Sequence, residues 1–342
     1  MSPLLAIVLA ACAAAALAWL AIALTRPLMV KLALARPNGR SSHREPIPQG
    51  AGVGLMAALI AIALGATGLA SGMDRSLVFL AAAALGLTAL GLVDDIRPLR
   101  WRLKLVLQIL FCLLAVAGLP PALRLLPLDG LYWPERAVMT VALVAMVNIV
   151  NFIDGIDEIT AAHCAPALAA AALAGALALA GPTTGLTAGA GLGAVAGFWL
   201  WNRHPARIFL GDAGSLPLGL VVGWLALRLS AEGALVAGLL IVLYPVTDAT
   251  ITLAGRLMRG CNIAEPHRDH GYQRAVDSGV AVRRVSAVVA LISAATAVLA
   301  LVALAAPYPA VQVLALAIGL CWTVLPVLGW QRRRPAAAAS RP

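Results

Sequence analysis

The chain has 342 residues, 62% of them hydrophobic and only 12% charged, with a mean hydropathy of +0.93. A soluble domain carries roughly 25% charged residues, so a water-facing globule is excluded: its interior could not hold this much apolar side chain. The net charge of +10 lies between apolar stretches rather than along a polar domain, so it implies no nucleic acid and reads as a membrane-topology signal.

A transmembrane helix needs about 20 mainly apolar residues. That ruler predicts an all-α, polytopic membrane protein with about 11 transmembrane helices, over residues 3–24, 53–70, 77–93, 103–119, 136–150, 163–180, 185–201, 214–230, 234–254, 285–306 and 310–329. The stretches 53–70 and 163–180 are rich in Ala and Gly, and 136–150 is short unless Asn148 and Asn151 lie on its end. The first stretch lacks a basic leader and runs past twenty residues, which reads as a retained helix and not a signal peptide. Cys12, Cys112, Cys164, Cys261 and Cys321 show no paired spacing for a metal or redox centre. The simplest organisation is one transmembrane domain over residues 1–330 with a basic tail at 331–342.

Short cytoplasmic loops retain Lys and Arg. With the N-terminus outside, the inner segments hold Arg26, Lys31, Arg36, Arg40 and Arg44, then Arg97, Arg100, Arg102 and Lys104, then Arg203 and Arg207. They also hold Arg256, Arg259, Arg268, Arg274, Arg283 and Arg284, and finally Arg332, Arg333, Arg334 and Arg341. Only Arg75, Arg124, Arg136 and Arg228 fall outside. An odd helix number puts the C-terminus in the cytoplasm, where its basic run can lie against anionic lipid. Asp74, Asp129, Glu135 and Glu232 fall on the outer side, and the other acidic residues at or near the inner one.

Four polar clusters lie on that inner face. Asp94 and Asp95, directly after a span, are adjacent carboxylates that repel unless a cation or proton offsets them; the plain alternative is an acidic helix end neutralised by Arg97 and Arg100. Asn148, Asn151, Asp154 and Asp157 are three residues apart and share a face if the helix continues, although Gly155 favours a break. Oxygen ligands of this kind suit Mg²⁺, and a polar cap is the alternative. In NRHPARIFLGDAGS, Asp212 sits between glycines at a helix mouth, where an anion or its metal can bind, or where it is an ordinary cap. In EPHRDHGYQR, His267, His270, Tyr272, Gln273 and Arg274 suit phosphate; a solvated loop competes, and zinc lacks a third ligand.

Taken together, RPNGRSSHREPIPQGAG (36–52), DDIRPL (94–99), NFIDGID (151–157), NRHPARIFLGDAGS (202–215) and HRDHGYQ (267–273) resemble, in the same order, the polyprenyl-phosphate N-acetylhexosamine-1-phosphate transferases of glycosyltransferase family 4. The resemblance implies transfer of a sugar-1-phosphate from a UDP-N-acetylhexosamine to undecaprenyl phosphate, releasing UMP, in a bacterial cytoplasmic membrane with the active site facing the cytoplasm. It implies Mg²⁺, with Mn²⁺ as a substitute, held by Asp154 and Asp212. It makes Asp94 and Asp95 a catalytic pair, one of which accepts a proton from the lipid phosphate. Asn151 would stand beside the metal, and Asp157 against the nucleoside. Asn202 would bind substrate and Lys104 would pair with phosphate. Phe209 would stack on uracil, or else is a core residue, and His267, His270 and Arg274 would close over the diphosphate or sugar. A homodimer is compatible with the resemblance alone.

Two positions depart from the family pattern. Glu158 stands where the family has Gly after DGxD, and HRDHGYQ differs from the His-rich form of the peptidoglycan-precursor enzymes. The latter points to the branch that starts O-antigen and other surface polysaccharides with N-acetylfucosamine, N-acetylquinovosamine or N-acetylglucosamine. The peptidoglycan-precursor transferase is the near alternative. A secondary transporter is the distant one, since transporters bind substrate near the midplane through broken helices while these carboxylates gather at one interface.

Overall fold

All eleven apolar stretches form helices. A computed structural model describes residues 1–35, 46–125, 128, 130–262, 265, 267–306 and 308–333. Arg36, Arg40, Arg44, Asp129, Arg334 and Arg341, with the first ten residues of the 36–52 segment and most of the basic tail, lie outside the described residues. The helices are α1 (Pro3–Leu32), α2 (Gly52–Ser71), α3 (Arg75–Ile96), α4 (Trp101–Gly118), α5 (Tyr132–Ile153), α6 (Ile159–Ala176) and α7 (Pro182–Asn202). There follow α8 (Asp212–Ala231), α9 (Leu235–Ile241), α10 (Leu243–Met258), α11 (Gly271–Asp277), α12 (Val282–Ala305) and α13 (Pro309–Gln331). The described strands are a two-residue antiparallel pair, β1 (Leu34–Ala35) with β2 (Ile47–Pro48).

Among the described residues nine helices are long and apolar enough to cross a membrane, and the α9–α10 pair makes a tenth. The chain is a polytopic membrane protein. Helix α7 has 21 residues, about 31 Å at 1.5 Å per residue; its glycines and threonines, not its length, set it apart from the apolar spans. The expected single span over 234–254 is broken: α9 and α10 meet at 69°. Pro245 supplies the reason, because it has no N–H to give the carbonyl four residues earlier, that of Ile241, where α9 stops.

Local chemistry sets several helix starts. Ser2 caps α1 by accepting from Leu5 N, with Pro3 in the first turn. Asp74 caps α3, accepting from Ser76 N at 2.8 Å. Helix α8 lies at the centre, packed on α2, α3, α5, α6 and α9, and nearly all its side chains are buried. Short connections make the helices alternate in direction. The C-terminal ends of α3, α5, α7 and α10 and the N-terminal ends of α4, α6, α8 and α12 therefore share one face.

Polar ties close the other face. Arg228 reaches Ser76 Oγ at 2.7 Å and Asp74 at 3.4 Å, Thr183 donates to Asp74 at 2.6 Å, and Arg228 also pairs with Glu232 at 3.4 Å. Nearby, Arg124 pairs with Glu135 at 2.6 Å, and Arg136 donates to the carbonyls of Pro120 and Leu123. The five cysteines are unpaired.

The approach of α3 to the start of α8 depends on Gly91, where a Cβ would run into the backbone of Asp212 and Ala213. Overpacking of this kind costs about 1–3 kcal/mol. Gly91→Val should therefore lower the apparent melting temperature in detergent, whereas an unchanged melting curve would show that the two helices can separate without cost.

Candidate active site

The N-terminus of α8 leaves its first N–H groups without helical partners, and Gly211, the residue before it, has no side chain to cap them. The cap comes from another helix. Asp95, in the last turn of α3, accepts from Asp212 N at 2.9 Å through Oδ1 and from Ala213 N at 3.1 Å through Oδ2. Asp212 is thus not the cap of its own helix, and its carboxylate is left to point at its neighbours. Lys104, in the first turn of α4, bridges two of the carboxylates. Its Nζ lies 2.9 Å from Asp94 Oδ2 and also pairs with Asp212 Oδ2. Asp94 accepts in addition from Leu99 N at 2.7 Å.

Asn151 completes this group from α5, donating to Asp212 Oδ1 at 2.8 Å and to Ser215 Oγ at 2.9 Å. Asn148, one turn back, turns away to Gln108 Oε1 at 2.9 Å. The three-residue spacing does not produce one stripe, because α5 ends at Ile153. Asp154 is its C-cap, and Asp157 lies on the turn that follows. Thr160 donates to Asp154, but no cationic side chain among the described residues pairs with that carboxylate. Burial pushes the Asp154 carboxyl up to about 7, and the nearby charges of Asp212 and Asp157 act in the same direction.

The segment 202–215 wraps this turn. Asn202 accepts from Glu158 N at 2.8 Å and donates to the Ile208 carbonyl at 3.1 Å. Asp157 Oδ2 accepts from Ala206 N at 3.1 Å and lies 2.7 Å from His204 Nδ1. Phe209 is anchored by its backbone, donating to Pro48 O at 2.9 Å and accepting from Gly50 N and Ala51 N at 3.1 Å each. Gln49, from the described end of 36–52, donates to the Asp95 carbonyl at 3.1 Å. Four of the five sequence segments therefore meet around the carboxylates through direct bonds.

The fifth packs behind them and is tied to the 151–157 segment by the Tyr272 hydroxyl, which donates to the Phe152 carbonyl at 2.9 Å. His267 is half-buried and stacks on His270 with ring centroids 5.2 Å apart; His270, 2% exposed, lies 6.2 Å from the Phe152 ring. Arg274 donates to Asp269 Oδ1 at 3.2 Å and to the Gln331 carbonyl of α13 at 3.0 Å, so its guanidinium is engaged between the loop and α13 and does not pair with the carboxylate group. Asp269 feels burial pushing its pKa up, but the hydrogen bonds and charges of Arg256 and Arg274 hold it below the usual carboxylate range. The sequence reading passed over Asp269, Thr160 and Ser215; Ser215 stood inside a quoted segment, three residues after Asp212.

Among the described residues no group of three or more His, Cys, Asp or Glu side chains gathers at metal-binding distance. Mg²⁺ needs less, since it is commonly held by one or two carboxylates with waters and substrate phosphates. A buried carboxylate, Asp154, which no cation among the described residues pairs with, near a second, Asp212, and an amide, Asn151, fits that requirement.

Comparison with known proteins adds a family. The model of glycosyl transferase family 4 matches residues 77–230, the stretch that carries the carboxylates of α3, the Asp154 turn and α8. A phospho-N-acetylmuramoyl-pentapeptide-transferase of Synechococcus sp. (strain JA-3-3Ab) is 33% identical over 213 residues, covering 56% of this chain and 59% of the relative. A Bacillus subtilis (strain 168) protein named "Probable undecaprenyl-phosphate N-acetylglucosaminyl 1-phosphate transferase" is 32% identical over 100 residues, 28% of each chain. The chain thus spans about three-fifths of the length of the first of these relatives.

Glu158 holds a left-handed backbone at φ 68°, which costs an L-residue roughly 1–2 kcal/mol and glycine almost nothing. Its carboxylate accepts from His204 N at 2.9 Å. Glu158→Ala keeps the strain and loses that bond, so it should melt lower than Glu158→Gly, which loses both; the reverse order would deny the backbone strain any weight.

Proposed function

Because the chain belongs to glycosyl transferase family 4 over residues 77–230, we propose that it transfers an N-acetylhexosamine-1-phosphate from a UDP-sugar to undecaprenyl phosphate at the cytoplasmic face of a bacterial inner membrane. The observation that carries this reading is the bonded group of Asp94, Asp95, Lys104, Asn151 and Asp212 on one face of the helix bundle. One substrate is anchored in lipid and the other is a water-soluble anion, so the reaction needs a charged site at a membrane interface.

A phosphate oxygen of the lipid attacks the β-phosphorus of the donor. The bond from that phosphorus to the bridging oxygen breaks, and UMP leaves with the electron pair. Lys104 offers a cation to phosphate, and Asn151 holds Asp212 in place. Asp154 and Asp212 would hold Mg²⁺, or Mn²⁺ in its stead, which supplies charge neutralisation to the diphosphate. Asp94 is the one of the two adjacent carboxylates we assign to accept the proton of the lipid phosphate, because one of its oxygens is held by the Lys104 side chain, a partner that phosphate can take over, whereas both oxygens of Asp95 are held by backbone N–H groups of α8. Asp157 and Phe209 would face the nucleoside and His267 the phosphates.

The loop sequence HRDHGYQ favours a simple N-acetylhexosamine donor and a role in starting O-antigen or another surface polysaccharide. The names of the matched relatives, mostly pentapeptide transferases, support the peptidoglycan-precursor reaction as the second reading. The broken α9–α10 pair does not favour transport, because the one carboxylate within it, Asp248, is occupied by hydrogen bonds from Gly271, Thr252 and Tyr244.

Purified protein given undecaprenyl phosphate and a panel of UDP-N-acetylhexosamines with UDP-N-acetylmuramoyl-pentapeptide should release UMP with one donor class only, and EDTA should stop it. Turnover that survives EDTA or Asp154→Asn would refute the metal assignment. Asp94→Asn should abolish turnover with little change in melting temperature. Asp95→Asn should lower both, because it weakens the cap of α8 by about 1 kcal/mol. Asp154 is protonated below about pH 7 and must lose that proton to bind a cation, so the Mg²⁺ concentration needed for half-activity should fall as pH rises from 6 to 8.

A further inference from the structure

Asp248 is a carboxylate inside a membrane helix, with no side-chain exposure. Such groups are expensive in a bilayer and face partners in the protein interior. It stands on a polar stripe of α10 at four-residue spacing, Tyr244, Asp248, Thr252 and Arg256, all buried. Its Oδ1 accepts from Gly271 N at 2.8 Å and from Thr252 Oγ1 at 3.2 Å, and lies 3.5 Å from His270 Nδ1. Its Oδ2 accepts from Tyr244 OH at 3.3 Å and from Tyr272 N at 3.5 Å. The backbone that follows His270 is therefore fixed from below by one side chain.

The consequence reaches the Asp154 turn through Tyr272. Its hydroxyl donates to the Phe152 carbonyl at 2.9 Å, one of the carbonyls left without a helical partner where α5 ends. Tyr272 and Gln273 press against Gly155 so closely that a Cβ there would collide with the Tyr272 hydroxyl. Asp154 sits between these two contacts in sequence. The rest of the stripe holds the same loop: Arg256 pairs with Asp269 at 2.5 Å, and Gln331 of α13 donates to both Thr252 Oγ1 and the Asp269 carbonyl.

We propose that Asp248 is a positioning residue for the transfer reaction, setting the Asp154 turn through the Tyr272 hydroxyl without touching substrate. This rests on the transferase reading for its kinetic test but not for its structural one. Outer partners of metal-binding groups typically change affinity by 10–100-fold when lost. Asp248→Asn keeps the shape but removes the charge and one acceptor. It should raise the KM for the UDP-sugar and the Mg²⁺ half-activation concentration about tenfold while kcat changes less than about threefold. Tyr272→Phe removes only the hydroxyl and should shift the same two constants in the same direction. The double variant should fall short of the product of the single effects.

Hydrogen exchange gives the independent reading. In Asp248→Asn the amides of residues 151–158 and 267–277 should exchange faster while those of α3 and α8 do not change. Unchanged exchange in the 151–158 turn of both variants would overturn the proposal, as would independent, multiplicative effects on KM. If the wild type released no UMP with any donor, the transferase reading would fail, and the exchange result would still decide whether Asp248 positions the turn. Should Asp248→Asn fail to fold, Tyr272→Phe decides alone, and unchanged exchange in its 151–158 turn would overturn the proposal.

Discussion

A single carboxylate joins the ends of two helices at the middle of this protein. Asp95 leaves α3 and gives both its oxygens to the start of α8, which has no cap of its own. Carboxylate and dipole are opposite in sign there and attract, since a helix N-terminus carries the equivalent of about half a positive charge. Much of the site follows from that one contact. With Asp95 serving as the cap, Asp212 is released from that duty and can be shared between Lys104 and Asn151. Asp94, the other half of the pair, is turned toward Lys104 and the turn at Leu99. Two neighbours in sequence thereby acquire different work through different surroundings.

The opposite face shows the same economy without the chemistry. Arg228 pairs with Asp74, Ser76 and Glu232, which lie at the ends of α3 and α8, and Thr183 of α7 joins the group. Each end of α8 is thus tied by charge to α3. The lower tie pairs each carboxylate with Arg228 or a hydroxyl. The upper one keeps Asp154 beside it with no cation among the described residues, which is the asymmetry expected if only one face handles charged substrate.

The apolar stretches were legible because burial in lipid leaves a signal about twenty residues long, and even the Ala- and Gly-rich ones at 53–70 and 163–180 are helices. The site was legible in part. Asp94, Asp154, Asp157 and Asp212 stand at helix ends, where a charge interrupts an apolar run and can be seen. Their division of labour was not, since capping of α8 by Asp95 is a contact across more than a hundred residues. Two further features escaped for physical reasons. The break at Ile241 arises from a missing hydrogen bond that hydropathy does not register, although Pro245 marks it. Asp248 was passed over with the span that contains it, yet a carboxylate in an apolar segment is itself the signal.

Helix α8 also bears on how the protein is made. It is the least apolar of the nine spanning helices, and almost none of its surface is left for lipid. On its own it would be a reluctant guest in a bilayer, with Asp212 at one end and Arg228 at the other. Of its partners, α2, α3, α5 and α6 precede it in the chain and only α9 follows. By the time α8 leaves the ribosome, most of the walls of its slot are already in the membrane, and it can pass from the insertion machinery into protein instead of lipid. The order of the helices along the gene is then a schedule for assembly, with a segment poorly suited to lipid arriving after most of its shelter.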